Sequence, residues 1–446
     1  MSTIGRSDFP PGFRWGCSTS SYQIEGAAHE DGRGESIWDR FCATPGRIRD
    51  VSSGAVACDH YHRWPEDLDL ARQLGVNAYR FSIAWPRVFA TGRGTLANAR
   101  GLDFYSRLVD GMLERGLEPW ATLYHWDLPQ ALQDEGGWAV RSTMDAFVDY
   151  ADAVTRRLGD RVKHWITHNE PWCTAFLGHH EGCHAPGQRN FATALQVCHH
   201  LLVSHGQALP VIRANSAGAA AGITLSLHPI QPAGGGAEDA AAARRQDGLR
   251  NRWFLDPLHG RGYPSDVLAV LAEAAPRVLA GDMEAIARPT DFLGINYYFP
   301  EVVAEAPGRG ELGLRLVERE GVERTAFGWE VSPQGMVSLL ERVHRDWGAA
   351  PIYLTENGST YDDVVGPDGS VHDEQRRSYL ERHLAAAREA RARGVPLEGY
   401  FAWSLLDNFE WAEGYQRRFG LTYVDYATQR RTLKASGHWY ARFLRS

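Results

Sequence analysis

Eight short apolar or β-branched runs recur along this chain, each followed by a polar or aromatic cluster and then by a helical pattern. The runs are Phe13–Ser18, Asn77–Ile83, Glu118–Tyr124, Val162–Thr167, Gly222–Leu227, Asp291–Ile295, Pro351–Thr355 and Leu397–Ala402. A strand buried on both faces reads as a continuous apolar stretch, because neither face meets water. Helical periodicity fills the gaps over Pro65–Leu74, Leu102–Arg115, Thr143–Leu158, Gln334–Trp347 and Asp373–Arg393; Leu68, Leu70, Ala71 and Leu74 of the first suit one apolar stripe. Strand alternating with helix implies a parallel sheet covered by helices. Eight such units predict an α/β fold closed into a (β/α)8 TIM barrel. At 446 residues the chain exceeds an ordinary domain. Barrels of this type run to beyond about 400 residues as one unit. A single domain over residues 1–446 with extended βα loops is therefore expected. Three stretches read as those loops: Gly32–Asp59, Pro229–Gly248 with a helical, Ala-rich end, and Pro300–Phe327.

Composition removes several classes of function. The formal charge of −8 gives no basic stripe for nucleic acid. Lysine occurs only at Lys163 and Lys434, and the arginines are scattered. No run reaches the roughly 18 apolar residues of a membrane span. Residues Met1–Pro11 are polar and lack the apolar stretch of a secretory leader. The six cysteines (Cys17, Cys42, Cys58, Cys173, Cys183 and Cys198) form no CxxC pair, which fits reduced thiols in a cytoplasm. The adjacent pairs His179-His180 and His199-His200 diverge on a helix. With no HExxH, no GxGxxG after the first strand and no GxxxxGK[ST], neither a catalytic metal nor a nucleotide cofactor is expected. Nothing in the sequence specifies an oligomeric state.

The active site of such a barrel lies at the C-terminal ends of its strands. Gln23 follows the first run and Arg80 lies within the second. His125 and Trp126 follow the third, Asn169 and Glu170 the fourth, Asn296, Tyr297 and Tyr298 the sixth, and Glu356 and Asn357 the seventh. The eighth leads to Trp403, then Glu410 and Trp411. Carboxylates, amides and indoles on one rim suit a sugar, whose hydroxyls need polar partners and whose ring faces stack on aromatics. Glu170 and Glu356 sit on the fourth and seventh strands, so a barrel lets them face each other across a bound ring. Glycoside cleavage needs such a pair: one protonates the leaving oxygen and the other meets the anomeric carbon.

Phe13-Arg14-Trp15-Gly16 through Tyr22-Gln23-Ile24-Glu25-Gly26, Tyr79–Arg87, Tyr124-His125-Trp126-Asp127-Leu128-Pro129, Thr167-His168-Asn169-Glu170-Pro171, Thr355-Glu356-Asn357-Gly358 and Trp403–Trp411 together resemble glycoside hydrolase family 1, the β-glucosidase family. The resemblance spans Phe13 to Trp411. It implies a two-step retaining mechanism with Glu356 as nucleophile and Glu170 as acid/base. It implies that Gln23, His125, Asn169, Glu410 and Trp411 hold the terminal sugar's hydroxyls, with Trp126 in the same substrate-binding set. Trp403 is implied as the platform beneath that sugar, and Trp329 as the aromatic at the aglycone entrance. Asn296 is implied as a supporting amide among the substrate-binding residues. Arg80 and Tyr298 are implied as the cation and phenol beside the nucleophile. Both favour its ionised form, and on that ground they should lower the pKa of Glu356.

Two positions depart from the family pattern. His168 stands where many relatives carry an apolar or aromatic residue, altering the expected aglycone-side wall. Ser226 stands where many carry asparagine, removing a hydrogen bond to a second sugar. Glu410 and the lack of a nearby lysine disfavour a phosphorylated sugar, and Glu170 disfavours the thioglucosidase branch, where that acid is glutamine. The expected substrates are small β-glucosides or oligosaccharides. β-Galactosidase, β-fucosidase or transglycosylase activity in the same site is the enzymatic alternative. A non-catalytic carbohydrate-binding barrel is the other, and it should lack one of the two carboxylates.

Overall fold

The computed structural model describes residues 4–348 and 351–446, so Met1–Thr3 of the polar opening segment lie outside the described residues. The eight barrel strands are β1 (Arg14–Ser18), β2 (Ala78–Ser82), β3 (Glu118–Tyr124), β4 (His164–Asn169), β5 (Ala220–Ser226), β6 (Phe292–Asn296), β7 (Ile352–Asn357) and β8 (Leu397–Trp403). They close in the order β1-β8-β7-β6-β5-β4-β3-β2, and the pairings around the ring are parallel. The predicted runs all became barrel strands, but β4, β6, β7 and β8 continue past their predicted ends. Asn169, Asn296, Glu356 and Asn357 are thus strand residues rather than residues after strands. Hydropathy stops at a polar residue, whereas the strand continues because these side chains find buried partners: Arg80 donates to Asn169 and Glu356, Asn296 donates to Asn169, and Asn357 donates to the Tyr297 carbonyl.

The outer ring includes α1 (His60–Leu74), α2 (Ala99–Glu114), α3 (Ser142–Leu158), α4 (Phe191–Asn215), α5 (Pro333–Trp347), α6 (Glu374–Ala392) and α7 (Ala435–Arg445). On α2, Phe104, Tyr105, Leu108, Val109 and Met112 form the buried stripe, a spacing that one helix face produces. The sequence reading starts α1 at Pro65, whereas the helix begins at His60 and carries Pro65 inside it. It has no counterpart for α4, which is buried along most of its length and includes Pro210; a helix apolar all round loses its periodic signature. The long connections are also more ordered than expected. Gly32–Asp59 contains the helix Ile37–Ala43, started by a reciprocal Ser36–Asp39 cap. In Pro300–Phe327, Glu301–Glu305 and Leu314–Leu316 are strands that join Ile230–Pro232 in a small three-stranded sheet.

The end of the barrel away from the site is plugged by Ala78, Trp120, Ile166, Phe292 and Phe401. Trp120 lies 5.1 Å from Phe401 and 5.4 Å from Phe292, centroid to centroid. Gly16 is required here, because a Cβ on it would stand 2.1 Å from the Phe401 ring. Among the described residues no helix is long and apolar enough to cross a membrane.

The loop after β8 is held from behind by a buried ionic cluster. Lys434 Nζ donates to Asp407 at 2.6 Å and also to Asp363. Arg418 donates to Asp407 at 2.7 Å, and Arg376 lies 2.8 Å from Asp363. Lys434→Met leaves two buried carboxylates short of a cation. Loss of one partner from a buried pair costs about 3–5 kcal/mol, so denaturant unfolding should show a destabilisation of about that size.

Candidate active site

A cavity of about 420 Å³ opens at the C-terminal ends of the strands, and Glu170, Glu356, Glu410, Trp403 and Trp411 all line it. Its floor is organised by Arg80, a fully buried residue on β2. Arg80 Nη1 donates to Glu356 Oε1 at 2.6 Å and to the Thr355 carbonyl at 3.1 Å. Nη2 donates to Asn169 Oδ1 at 2.6 Å, and Nε to Thr122 Oγ1 at 3.2 Å. Tyr298 donates its phenolic hydrogen to Glu356 Oε2 at 2.7 Å. Both oxygens of Glu356 are therefore bonded, one to a cation.

Glu170 is held differently. Asn296 Nδ2 donates to its Oε1 at 2.8 Å, and the Cys173 thiol to its Oε2 at 3.2 Å. Asn296 is oriented in turn by Thr355 Oγ1, which donates to Asn296 Oδ1 at 2.7 Å. The donors on Glu170 are neutral and those on Glu356 include a guanidinium. The sequence reading names Cys173 only among the cysteines and not as a site residue, although it lies three residues after Glu170 and its backbone N–H bonds the Glu170 carbonyl at 2.9 Å. Glu170, Trp126 and Trp411 all have positive φ, at 47°, 80° and 51°. Such strain costs on the order of 1–3 kcal/mol per residue and gathers at functional sites.

Burial, the largest influence, pushes the Glu356 carboxyl up to about 7. The Arg80 charge pulls it down, Glu170 nearby pushes it up, and the Tyr298 and Arg80 hydrogen bonds pull it down again. This corrects the expectation of a lowered value: the two partners moderate desolvation and do not overcome it. The acid limb of kcat/KM, which reports the free enzyme, should therefore fall as pH drops through about 7. In Arg80→Met the limb should move to higher pH by about one to three pH units, as read from a kcat/KM profile. Burial also pushes Glu410 up to about 8, so it holds a proton at neutral pH and can donate to a hydroxyl. Burial and the Arg80 charge push His125 well below its ordinary range. The ring is thus neutral, and its Nε2 accepts from Asn169 Nδ2 at 3.1 Å.

The remaining predicted residues fall into two groups. His125, Trp126, Tyr298, Trp329, Trp403, Glu410 and Trp411 line the cavity. The His125 ring lies 6.0 Å from both Trp403 and Trp411 at 19° to each. Trp329 stacks on Phe327 at 4.6 Å and on Phe299 at 4.8 Å, forming an entrance wall. Gln23, Asn169 and Asn296 are buried behind the surface. Gln23 Nε2 donates to Asn408, to the Phe409 carbonyl and to Glu410 at 2.9, 2.9 and 3.4 Å. It must exchange one of these to reach a sugar, and in this state it positions the β8 loop. Trp126 gives its indole N–H to the Asn169 carbonyl at 2.9 Å, so only its ring faces the cavity.

His168 does not shape the aglycone wall. It is buried on the outer face of β4, with Nε2 2.9 Å from Ser204 Oγ and its ring 4.5 Å from Phe147. Ser226 does line the cavity, and Arg250, which the sequence reading did not single out, reaches its hydroxyl at 3.4 Å. Among the described residues no group of three or more His, Cys, Asp or Glu side chains is placed to hold a metal ion.

The family model "Glycosyl hydrolase family 1" matches residues 5–446. The chain belongs to glycosyl hydrolase family 1. Within the family it is 46% identical to Beta-glucosidase A of Thermotoga maritima, with 98% of each chain covered. It is 48% identical to Thermostable beta-glucosidase B of Thermobispora bispora, over 98% of this chain and 90% of that one. The solved family 1 β-glucosidase of Thermotoga maritima in complex with isofagomine lactam superposes with a TM-score of 0.96. That match covers 100% of this chain and 99% of that one at 46% identity. Family membership agrees with the barrel and with the resemblance drawn from the motifs.

Proposed function

We propose that this chain is a retaining exo-β-glycosidase, a β-glucosidase, with Glu170 as acid/base and Glu356 as nucleophile in one (β/α)8 catalytic domain over residues 1–446. The observation that carries the reading is the unequal support of two carboxylates on one cavity: a guanidinium and a phenol on Glu356, an amide and a thiol on Glu170. Equal carboxylates would share protons evenly, and glycoside cleavage needs one charged and one neutral. In the first step Glu170 protonates the glycosidic oxygen while Glu356 Oε attacks the anomeric carbon, forming a glycosyl ester and releasing the aglycone. In the second, Glu170 takes a proton from water, which attacks the same carbon and frees Glu356. His125, Glu410 and the Trp403 ring face the sugar; Gln23 and Asn169 stand behind them.

Relatives named as β-glucosidases support glucose as the terminal sugar. A relative from Bifidobacterium breve, 44% identical, is named a bifunctional β-D-glucosidase/β-D-fucosidase, which favours fucosides as a second substrate. Small β-glucosides, with cellobiose among the oligosaccharides, are the proposed substrates. The six free cysteines support a reducing, cytoplasmic location. A panel of nitrophenyl β-glycosides tests the reading. The glucoside should give the highest kcat/KM and the fucoside measurable turnover; an absence of turnover on every β-glycoside in the panel would defeat it.

A further inference from the structure

Beside the catalytic cavity lies a second chamber of about 160 Å³, and the two share Trp172 and Arg250 as a common wall. A cavity of about 150 Å³ already admits a six-membered ring. The chamber is built from the helical segment after β4, the start of α4, the helical segment carrying Gln246 and Arg250, and the 309–314 stretch. Its lining pairs aromatic faces with hydroxyl-binding groups. Trp172 and Phe176 stack at 5.2 Å, and Phe191 lies 6.0 Å from Phe176. Glu181, Gln246 and Glu311 supply carboxylates and an amide. This is the mixture that the catalytic cavity itself uses.

Arg250 is the decisive element. It is 4% exposed, and its guanidinium carbon stands 3.5 Å from the Trp172 ring centroid. Nη2 is fixed on the catalytic side, within reach of His228 Nε2 and of Ser226 Oγ at 3.4 Å. Nη1 has no hydrogen-bond partner, and Nε lies 3.3 Å from Glu301 Oε1 without forming a hydrogen bond. A buried guanidinium with an unused donor is costly, and this residue lines both the chamber and the catalytic cavity.

We propose that this chamber is a non-catalytic site for one pyranose sugar, and that Arg250 couples its occupancy to the side of the catalytic cavity where the aglycone lies. A sugar held against Arg250 changes the guanidinium that Ser226 and the departing aglycone meet. The inference uses the reading of Glu356 as nucleophile only to fill the glycone end of the catalytic cavity. The enzyme is treated with a 2-deoxy-2-fluoro-β-glucoside bearing a good leaving group, and one sugar adduct per chain is verified by mass. D-Glucose is then titrated into the blocked enzyme by calorimetry. One site per chain is expected. Phe191→Ala and Glu311→Ala should each weaken it at least about tenfold, while kcat/KM on nitrophenyl β-glucoside stays unchanged in both unblocked variants.

No glucose binding to the blocked enzyme would overturn the proposal, as would binding that neither variant weakens. Glu311 is exposed, so its replacement tests the site even if Phe191→Ala does not fold. Absence of the mass adduct would count against Glu356 as nucleophile and leave the chamber to be tested by titrating glucose into the parent and the two variants.

Discussion

Glu356→Gly is expected to abolish hydrolysis, with a loss of at least about 10⁴-fold in kcat, the scale on which a covalent catalytic group acts. The variant should nonetheless fold, because the residue occupies a strand end whose backbone pairing is independent of its side chain. Its emptied site can take an α-glucosyl fluoride, whose anomeric fluoride sits where the carboxylate stood. An acceptor sugar deprotonated by Glu170 then attacks, fluoride leaves, and a β-linkage forms that the variant cannot hydrolyse. Accumulation of β-linked disaccharide is the positive readout, and a parent-level rate of hydrolysis would sink the assignment.

Glu170→Ala is expected to slow turnover of substrates with poor leaving groups by about 10²–10⁴-fold, the usual worth of general acid–base catalysis. A dinitrophenyl glucoside needs no proton on its leaving oxygen, so its first step should survive and a burst of phenolate should precede a slow steady state. Azide should then attack the glucosyl ester without a base, giving β-glucosyl azide and restored turnover. The acid limb, set by Glu356 near 7, should remain. A dinitrophenyl glucoside slowed as much as substrates with poor leaving groups, with no azide product, would transfer the acid/base role to another group.

The barrel was legible because strands covered on both faces leave unbroken apolar runs. The helices with one exposed face, such as α2, were legible for the complementary reason. What escaped follows from the same physics. α4 has too little polar surface to show a period. The ends of β4, β6 and β7 escaped because their last residues are polar yet buried: Asn169 and Asn296 are paired by Arg80, Thr355 and each other, and Asn357 by the Tyr297 carbonyl and Tyr400. The misplacement of His168 was avoidable, since successive strand residues face opposite sides. With Asn169 turned to the lumen, its neighbour had to face the helices. The order of rim residues singled out Glu170 and Glu356, but not what holds them. The bond from Asn296 to Glu170 and the reach of Arg250 to Ser226 join elements distant in the chain. Only Cys173, within a helical turn of Glu170, left a local trace. The raised Glu356 carboxyl was likewise not readable from partner identities, because it depends on how dry the site is.

One guanidinium on β2 grips the end of β7 through Glu356 and the end of β4 through Asn169. The span between the two carboxylates proposed to react is thereby a matter of the barrel's girth, not of the connections that crown it. Evolution, or an engineer, can lengthen, shorten or transplant those crowning segments to choose a different leaving group while the bond-breaking apparatus keeps its dimensions.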